Sequence, residues 1–289
     1  MANVVHTIVF SYQEGGGNPC PVVLDADRFS TEEMQAMTRK FMHESAFVCS
    51  PTRPECDYTL RYFVPLHEME MCVHATIGTT TVLVKKGIVG KCPLHYETKL
   101  GVVRVEWEKR GEEIDVAVEQ FLPTFMGEIQ DTGKVCASLR IRADELADYP
   151  VQSVATSRQK LMVPLKRRET LDNLDPDFEC LWNVCDEYET TGFYPFAPGK
   201  DDKGNPVFFS RQFPKRAGYP EDPATGVAAS GLGAYLAHTG GYLPVKDGWN
   251  SYTILQGFAM GKPSVITSEV LLEGKQFIRT RIKGNAYLV

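Results

Sequence analysis

Three short stretches of the sequence carry residue types able to move a proton, and each stands beside the end of an expected helix. The first is Met42-His43-Glu44-Ser45, at the close of a helix opened by Ser30. A carboxylate near a helix C-terminus faces the negative end of the dipole, and burial there would raise its pKa toward neutrality, as a proton shuttle requires. The plain alternative is a solvated glutamate at a helix end. The second stretch is Cys72-Val73-His74-Ala75-Thr76 and the third is Glu221-Asp222-Pro223-Ala224-Thr225-Gly226. Both open helices, and free N–H groups around Ala75, Thr76, Ala224 and Thr225 are natural seats for a carboxylate. If the two helix starts face each other, they converge on one ligand, with Glu44, His74 and Asp222 as the polar groups around it. Each residue also has a structural reading: Asp222 as an N-cap ahead of Pro223, His74 as a hydrogen-bonded residue at a helix start, Cys72 as apolar packing.

Other chemistries lack their motifs. Gly15-Gly16-Gly17-Asn18 has neither the Lys-Ser/Thr of a phosphate loop nor dinucleotide spacing, and Gly261-Lys262 is followed by Pro263. No His-Glu-x-x-His or Gly-x-Ser-x-Gly occurs. The eight cysteines are scattered without a CxxC pair and show no ligand spacing, so no metal and no disulfide framework is expected, and reduced thiols point to the cytoplasm. The formal charge is −6 with no basic run, which argues against nucleic acid and anionic membranes as partners. The first residues lack a basic start and a long apolar stretch, so no leader is expected, and no apolar run reaches the ~18 residues of a membrane span.

The elements that must position these groups occur twice. Val22-Val23-Leu24 reads as a buried strand, followed by a Ser30/Glu33 capping box and a helix with Met34, Met37 and Phe41 on one face. Leu161-Met162-Val163 is the matching strand, with Asp175-Pro176 as the expected helix start and Phe178, Leu181, Trp182 and Cys185 at helical spacing. A strand ending Arg61-Tyr62-Phe63-Val64-Pro65 is echoed by Val207–Phe213, ending Arg211-Gln212-Phe213-Pro214. An Ala-Thr helix then starts at Ala75 and another at Ala224, stopping at Gly87 and Gly240. Hairpins follow around Arg110-Gly111 and Gly274. Residues 224–237 are apolar nearly all round, so protein must surround that helix. The expected class is α+β: two pseudo-symmetric halves, 1–118 and 119–289, each a curved, mostly antiparallel sheet around a central helix, with the last strand free to return to the first half. At 289 residues, two cores are expected rather than one.

The block Glu221-Asp222-Pro223-Ala224-Thr225-Gly226 resembles the Glu-Asp-Pro-Ala-Thr-Gly signature of the phenazine-biosynthesis (PhzF-type) isomerase family. Supporting matches are Gly17-Asn18-Pro19 with Val22-Val23-Leu24-Asp25, His43-Glu44-Ser45-Ala46-Phe47-Val48, His74-Ala75-Thr76-Ile77-Gly78-Thr79, and Gln256-Gly257 with Met260-Gly261-Lys262-Pro263-Ser264. Val73 and Ser157 stand where that family has glycine, and Met71-Cys72 is similar to the Met-Cys-Gly-His segment of proline racemases. The resemblance implies a diaminopimelate-epimerase-like fold with its site in the cleft between the halves, no cofactor, no metal, and a homodimer. It assigns proton relocation to Glu44, helped by His74 and Asp222, on a small carboxylate or dihydroaromatic substrate. Asn18, Ser45, Gly78 and Gly226 join Ala75, Thr76, Ala224 and Thr225 as expected substrate-binding residues. Cys72 is a further catalytic candidate, because a racemase or epimerase using Cys72 or Glu44 opposite Asp222 is the competing enzyme reading. A binding or interaction protein on the same fold is the non-enzymatic one.

Overall fold

A computed structural model describes residues 2–289, and it divides into two compact units, one running to Glu119 and including Ile282–Val289, the other Gln120–Arg281. In the first unit the order is β1 (Asn3–Val9), β2 (Asn18–Leu24), α1 (Thr31–Phe41), β3 (Ser45–Cys49), β4 (Tyr58–Phe63), β5 (Glu68–Met69), α2 (Val73–Lys85), β6 (Leu94–Thr98), β7 (Gly101–Arg110) and β8 (Glu113–Gln120). Helix α1 opens where the sequence says. The Glu33 amide donates to Ser30 Oγ at 3.2 Å, and the Ser30 amide donates to Glu33 Oε2 at 2.8 Å. Such a cap is worth about 1 kcal/mol.

The second unit contains β9 (Thr124–Glu128), α3 (Gly133–Leu139), β10 (Gln152–Ala155), β11 (Gln159–Pro164), α4 (Arg168–Asp172), α5 (Phe178–Glu187), β12 (Gly192–Lys200), β13 (Pro206–Ser210), β14 (Phe213–Pro214), α6 (Gly226–Thr239), β15 (Gly248–Gln256), β16 (Ser264–Glu273) and β17 (Gln276–Leu288). Strand β17 continues past this unit's limit, and its Ala286–Leu288 pairs with Thr7–Val9 of β1.

The duplication read from sequence holds at the level of strand pairing. In the first unit β1–β2 is antiparallel, β2–β3 parallel, β3–β4 antiparallel, β4–β6 parallel and β6–β7 antiparallel. In the second, β10–β11, β11–β12, β12–β13, β13–β15 and β15–β16 repeat that alternation in the same order. In the first unit the pairings β7–β8, β8–β17 and β17–β1 close the strands into an eight-stranded barrel.

Each unit wraps its sheet around one helix. Every residue of α2 from Val73 to Leu83 is buried, and so is almost all of α6. No polar face is available, so these helices hold by packing rather than by helix propensity. Small residues bring the walls close. A side chain at Gly78 would meet Thr7 Oγ1 at 2.8 Å and Val9 Cγ2 at 3.3 Å. No helix among the described residues is long and apolar enough to cross a membrane.

Three local expectations need correction. Helix α5 is capped by Asp177, whose Oδ1 accepts from the Cys180 amide at 3.1 Å; Asp175 instead accepts from Arg140 Nη1 at 2.7 Å. The expected strand Val207–Phe213 is broken into β13 and β14 at Arg211-Gln212, where the Arg211 amide turns to the Pro195 carbonyl. The central helices start at Val73 and Gly226 rather than at Ala75 and Ala224. In the second case Asp222 is held in an extended bridge with Gln212, which postpones the helix.

Candidate active site

In the first unit, two elements bring three nominated side chains together. Met42 takes a left-handed conformation (φ 58°) that ends α1, and the chain reaches Glu44 just before β3. Glu44 therefore does not sit in the helix end that the sequence suggested. Its side chain is only 16% exposed, so it is not a solvated helix-end glutamate either. Its Oε2 lies 3.2 Å from His74 Nδ1 and 3.3 Å from Cys72 Sγ, and Cys72 Sγ lies 3.1 Å from His74 Nδ1. Cys72 is the N-cap residue of α2, in extended conformation, and His74 lies in the first turn.

The electrostatics of this triangle follow from burial. Burial pushes the Cys72 thiol well above its usual pKa, and the Glu44 carboxylate pushes it further, so the group is a neutral thiol. Burial lowers the His74 pKa, and the attraction of Glu44 opposes that. A neutral imidazole donating from Nδ1 to the Glu44 carboxyl has a bare Nε2 acceptor, and among the described residues Nε2 is buried with no partner. A buried acceptor without a donor is costly unless a ligand satisfies it.

Asp222, in the second unit, is 8% exposed and fixed by a network that includes residues not nominated from sequence. Its Oδ2 accepts from Thr225 Oγ1, its amide donates to Gln212 O at 3.1 Å, and its carbonyl accepts from Gln256 Nε2 at 2.6 Å. Gln256 is completely buried. Its Oε1 accepts from the Thr225 amide at 3.2 Å and from Tyr194 Oη at 2.9 Å, and Tyr194 Oη in turn accepts from Ser210 Oγ. Asp222 is therefore not the helix N-cap; Thr225 is. The Gln256-Gly257 pair was the sequence signal for this network, but its role depends on strand pairing that spacing alone does not reveal.

Gly257 contributes a close approach. At φ 80°, a Cβ there would fall against the Lys262 carbonyl oxygen and within 2.7 Å of the Pro223 carbonyl oxygen. Neither backbone group can yield easily, so Gly257→Ala should destabilise the protein by about 1–3 kcal/mol and lower its thermal midpoint by several degrees. A melt unchanged from wild type would contradict that packing.

The nominated binding residues divide. Thr76 has both donors occupied: its amide and hydroxyl go to the Cys72 carbonyl, and the hydroxyl also meets Tyr62 Oη at 2.7 Å. Ser45 Oγ donates to the His43 carbonyl at 2.9 Å. Gly78 lies against the barrel wall, as above. Asn18 opens β2 opposite Val9 and is nearly buried. Ala75 is buried in the first turn of α2, and Ala224, Thr225 and Gly226 form the entry to α6. A cavity of about 320 Å³ in the second unit, lined by Arg140, Glu145, Arg167 and Asn173 among others, takes in none of the nominated residues.

Among the described residues, Glu44, Cys72 and His74 are the group whose oxygen, sulfur and nitrogen lie close enough together to share a metal ion. All three were nominated from sequence, but not as one cluster, because Glu44 comes from a different element than the other two.

Comparison with known proteins agrees with this architecture. A family model described as phenazine biosynthesis-like protein (PhzC-PhzF) matches residues 8–289. An uncharacterized isomerase of Escherichia coli K12 is 30% identical over 298 residues, covering 99% of this chain and 96% of the relative. A trans-2,3-dihydro-3-hydroxyanthranilate isomerase of Pseudomonas fluorescens is 28% identical, covering 99% and 96%. Among solved structures, a PhzF-family phenazine biosynthesis protein of Bacillus anthracis superposes with a TM-score of 0.89 at 28% identity, covering 100% of this chain and 97% of that one. With the match running from β1 to the C-terminus through the Glu44, His74 and Asp222 segments, the chain belongs to the phenazine biosynthesis-like family.

Proposed function

We propose that this isomerase relocates a proton on a small carboxylate of dihydroaromatic or amino-acid-like structure, using its own acid–base groups without a cofactor. The observation that carries the reading is the Glu44 carboxylate, mostly withdrawn from water and within 3.3 Å of both a thiol and an imidazole. A carboxylate so held can take a proton from one carbon and return it to another while its orientation stays fixed. His74, with Nε2 unpartnered, is suited to bind a substrate hydroxyl or amine. Asp222, immobilised by Thr225, Gln212 and Gln256, is assigned to the same reaction as an orienting and assisting group. The anionic end of the substrate is assigned to helix-entry amides that are not already engaged, since the Thr76 and Thr225 amides go to the Cys72 carbonyl and to Gln256 Oε1.

Trans-2,3-dihydro-3-hydroxyanthranilate, the compound in the name of the Pseudomonas relative, is the first substrate to try. Incubated with the protein in deuterium oxide, it should show a shifted ring double bond, with deuterium appearing only at the carbon that receives the proton. Turnover should survive exhaustive dialysis against a chelator. Label entering an amino-acid α-carbon with inversion, and no double-bond shift, would instead make the protein an epimerase.

A further inference from the structure

We propose that Glu44, Cys72 and His74 form a three-ligand site for a thiophilic divalent cation, zinc above all, and that occupancy reversibly switches the enzyme off. The switching half of this inference rests on the reading of Glu44 as proton shuttle; the binding half does not.

The donor set is mixed and convergent. One carboxylate oxygen, one sulfur and one imidazole nitrogen stand 3.1–3.3 Å apart in a closed triangle. In a tetrahedral zinc site with ordinary bond lengths the same three edges measure roughly 3.3–3.6 Å. The triangle thus needs to open by only a few tenths of an ångström. Cys72 and His74 are 5% and 3% exposed, and Glu44 leaves one side accessible, so a water can take the fourth corner. Sulfur and imidazole together select zinc and its neighbours over magnesium and calcium, which prefer all-oxygen sites.

Charge explains why the site suits a cation. Without a metal, the Cys72 thiol lies 3.3 Å from the Glu44 carboxylate and donates to it. A divalent ion rearranges these protons: the thiol releases its proton to solvent, the imidazole shifts its proton from Nδ1 to Nε2 so that Nδ1 can ligate, and the thiolate and carboxylate together neutralise the ion. No redox step is involved. Once Glu44 and His74 Nδ1 ligate a metal, the carboxylate can no longer exchange a proton with substrate, and turnover stops until a chelator removes the ion.

The test uses the full-length protein, with cobalt(II) as spectroscopic probe and zinc as competitor. Cobalt should give a sulfur-to-metal charge-transfer band, and zinc should abolish it at one equivalent while inhibiting turnover. Cys72→Ser should lose the band and weaken zinc binding by more than about 100-fold, beyond the 10–100-fold typical of losing an outer partner. Glu44→Gln, which keeps the side-chain shape, serves as a second ligand variant should Cys72→Ser fold poorly. Cys92 is the exposed thiol, and Cys92→Ser should leave the band intact. Absence of the band in wild-type protein, or its loss in Cys92→Ser alone, overturns the metal site while leaving the isomerase reading untouched. A band present with turnover undiminished at full zinc occupancy overturns the switch, and with it the assignment of Glu44 as shuttle.

Discussion

Glu44→Gln should lower kcat by about three orders of magnitude and leave the fold in place. The change is nearly isosteric, and the remaining carbonyl oxygen can still accept from Cys72 Sγ or His74 Nδ1, so the triangle keeps its shape. What disappears is the ability to hold and return a proton, and general acid–base groups contribute roughly 10²–10⁴ in rate. Substrate binding should change little, because the groups assigned to hold the anionic end lie elsewhere in the chain. Three measurements taken together decide the matter: turnover of the dihydroanthranilate, ligand affinity by titration, and the thermal midpoint. Undiminished turnover would end the shuttle assignment. A large fall in thermal midpoint would instead mean that Glu44 acts mainly by satisfying its buried neighbours.

Much of the architecture was legible because the chain states its pattern twice. The capping box at Ser30 and Glu33, the apolar Ala-Thr helices and the two terminal hairpins are all local signals, and the structure keeps them. What spacing could not provide was tertiary. The left-handed turn at Met42 moves Glu44 from a helix end to the start of β3, and no motif announces a left-handed methionine. Gln256 reaches Asp222 from 34 residues away and Tyr194 from 62, through the pairing of β13 with β15 and of β12 with β13. Such contacts depend on register, which a one-residue slip would invert. The side chain of Thr76 is settled in the same way: its hydroxyl meets Tyr62 and the Cys72 carbonyl, contacts that spacing does not reveal.

The echoed Arg-x-Phe strands hold the second large effect. In each unit the arginine grips a glutamate with both arms: Arg61 to Glu68 at 2.8 and 2.9 Å, Arg211 to Glu221 at 2.9 and 2.8 Å. Each guanidinium also lies over the ring of its own strand's phenylalanine, Phe63 or Phe213. The two forks differ in burial. Arg61 and Glu68 are 25% and 12% exposed, and Lys99 offers Glu68 a second cation at 2.7 Å. Arg211 and Glu221 are 11% and 10% exposed, and Arg211 Nη1 also donates to the carbonyls of Leu171 and Leu174. Removing one partner of a buried pair strands the other charge, so Glu221→Leu should cost about 3 kcal/mol or more, whereas Arg61→Met should cost about 1 kcal/mol. Replacing both partners, Arg211→Met with Glu221→Leu, should recover most of the lost stability, since no stranded charge remains. Turnover should not recover with it. Glu221 immediately precedes Asp222, and the fork fixes the extended segment from which the Asp222 carboxylate projects. Denaturant titrations of the three variants, read beside kcat, separate the two roles: a double variant that regains stability and full activity would show that the fork only stabilises the fold and does not position Asp222.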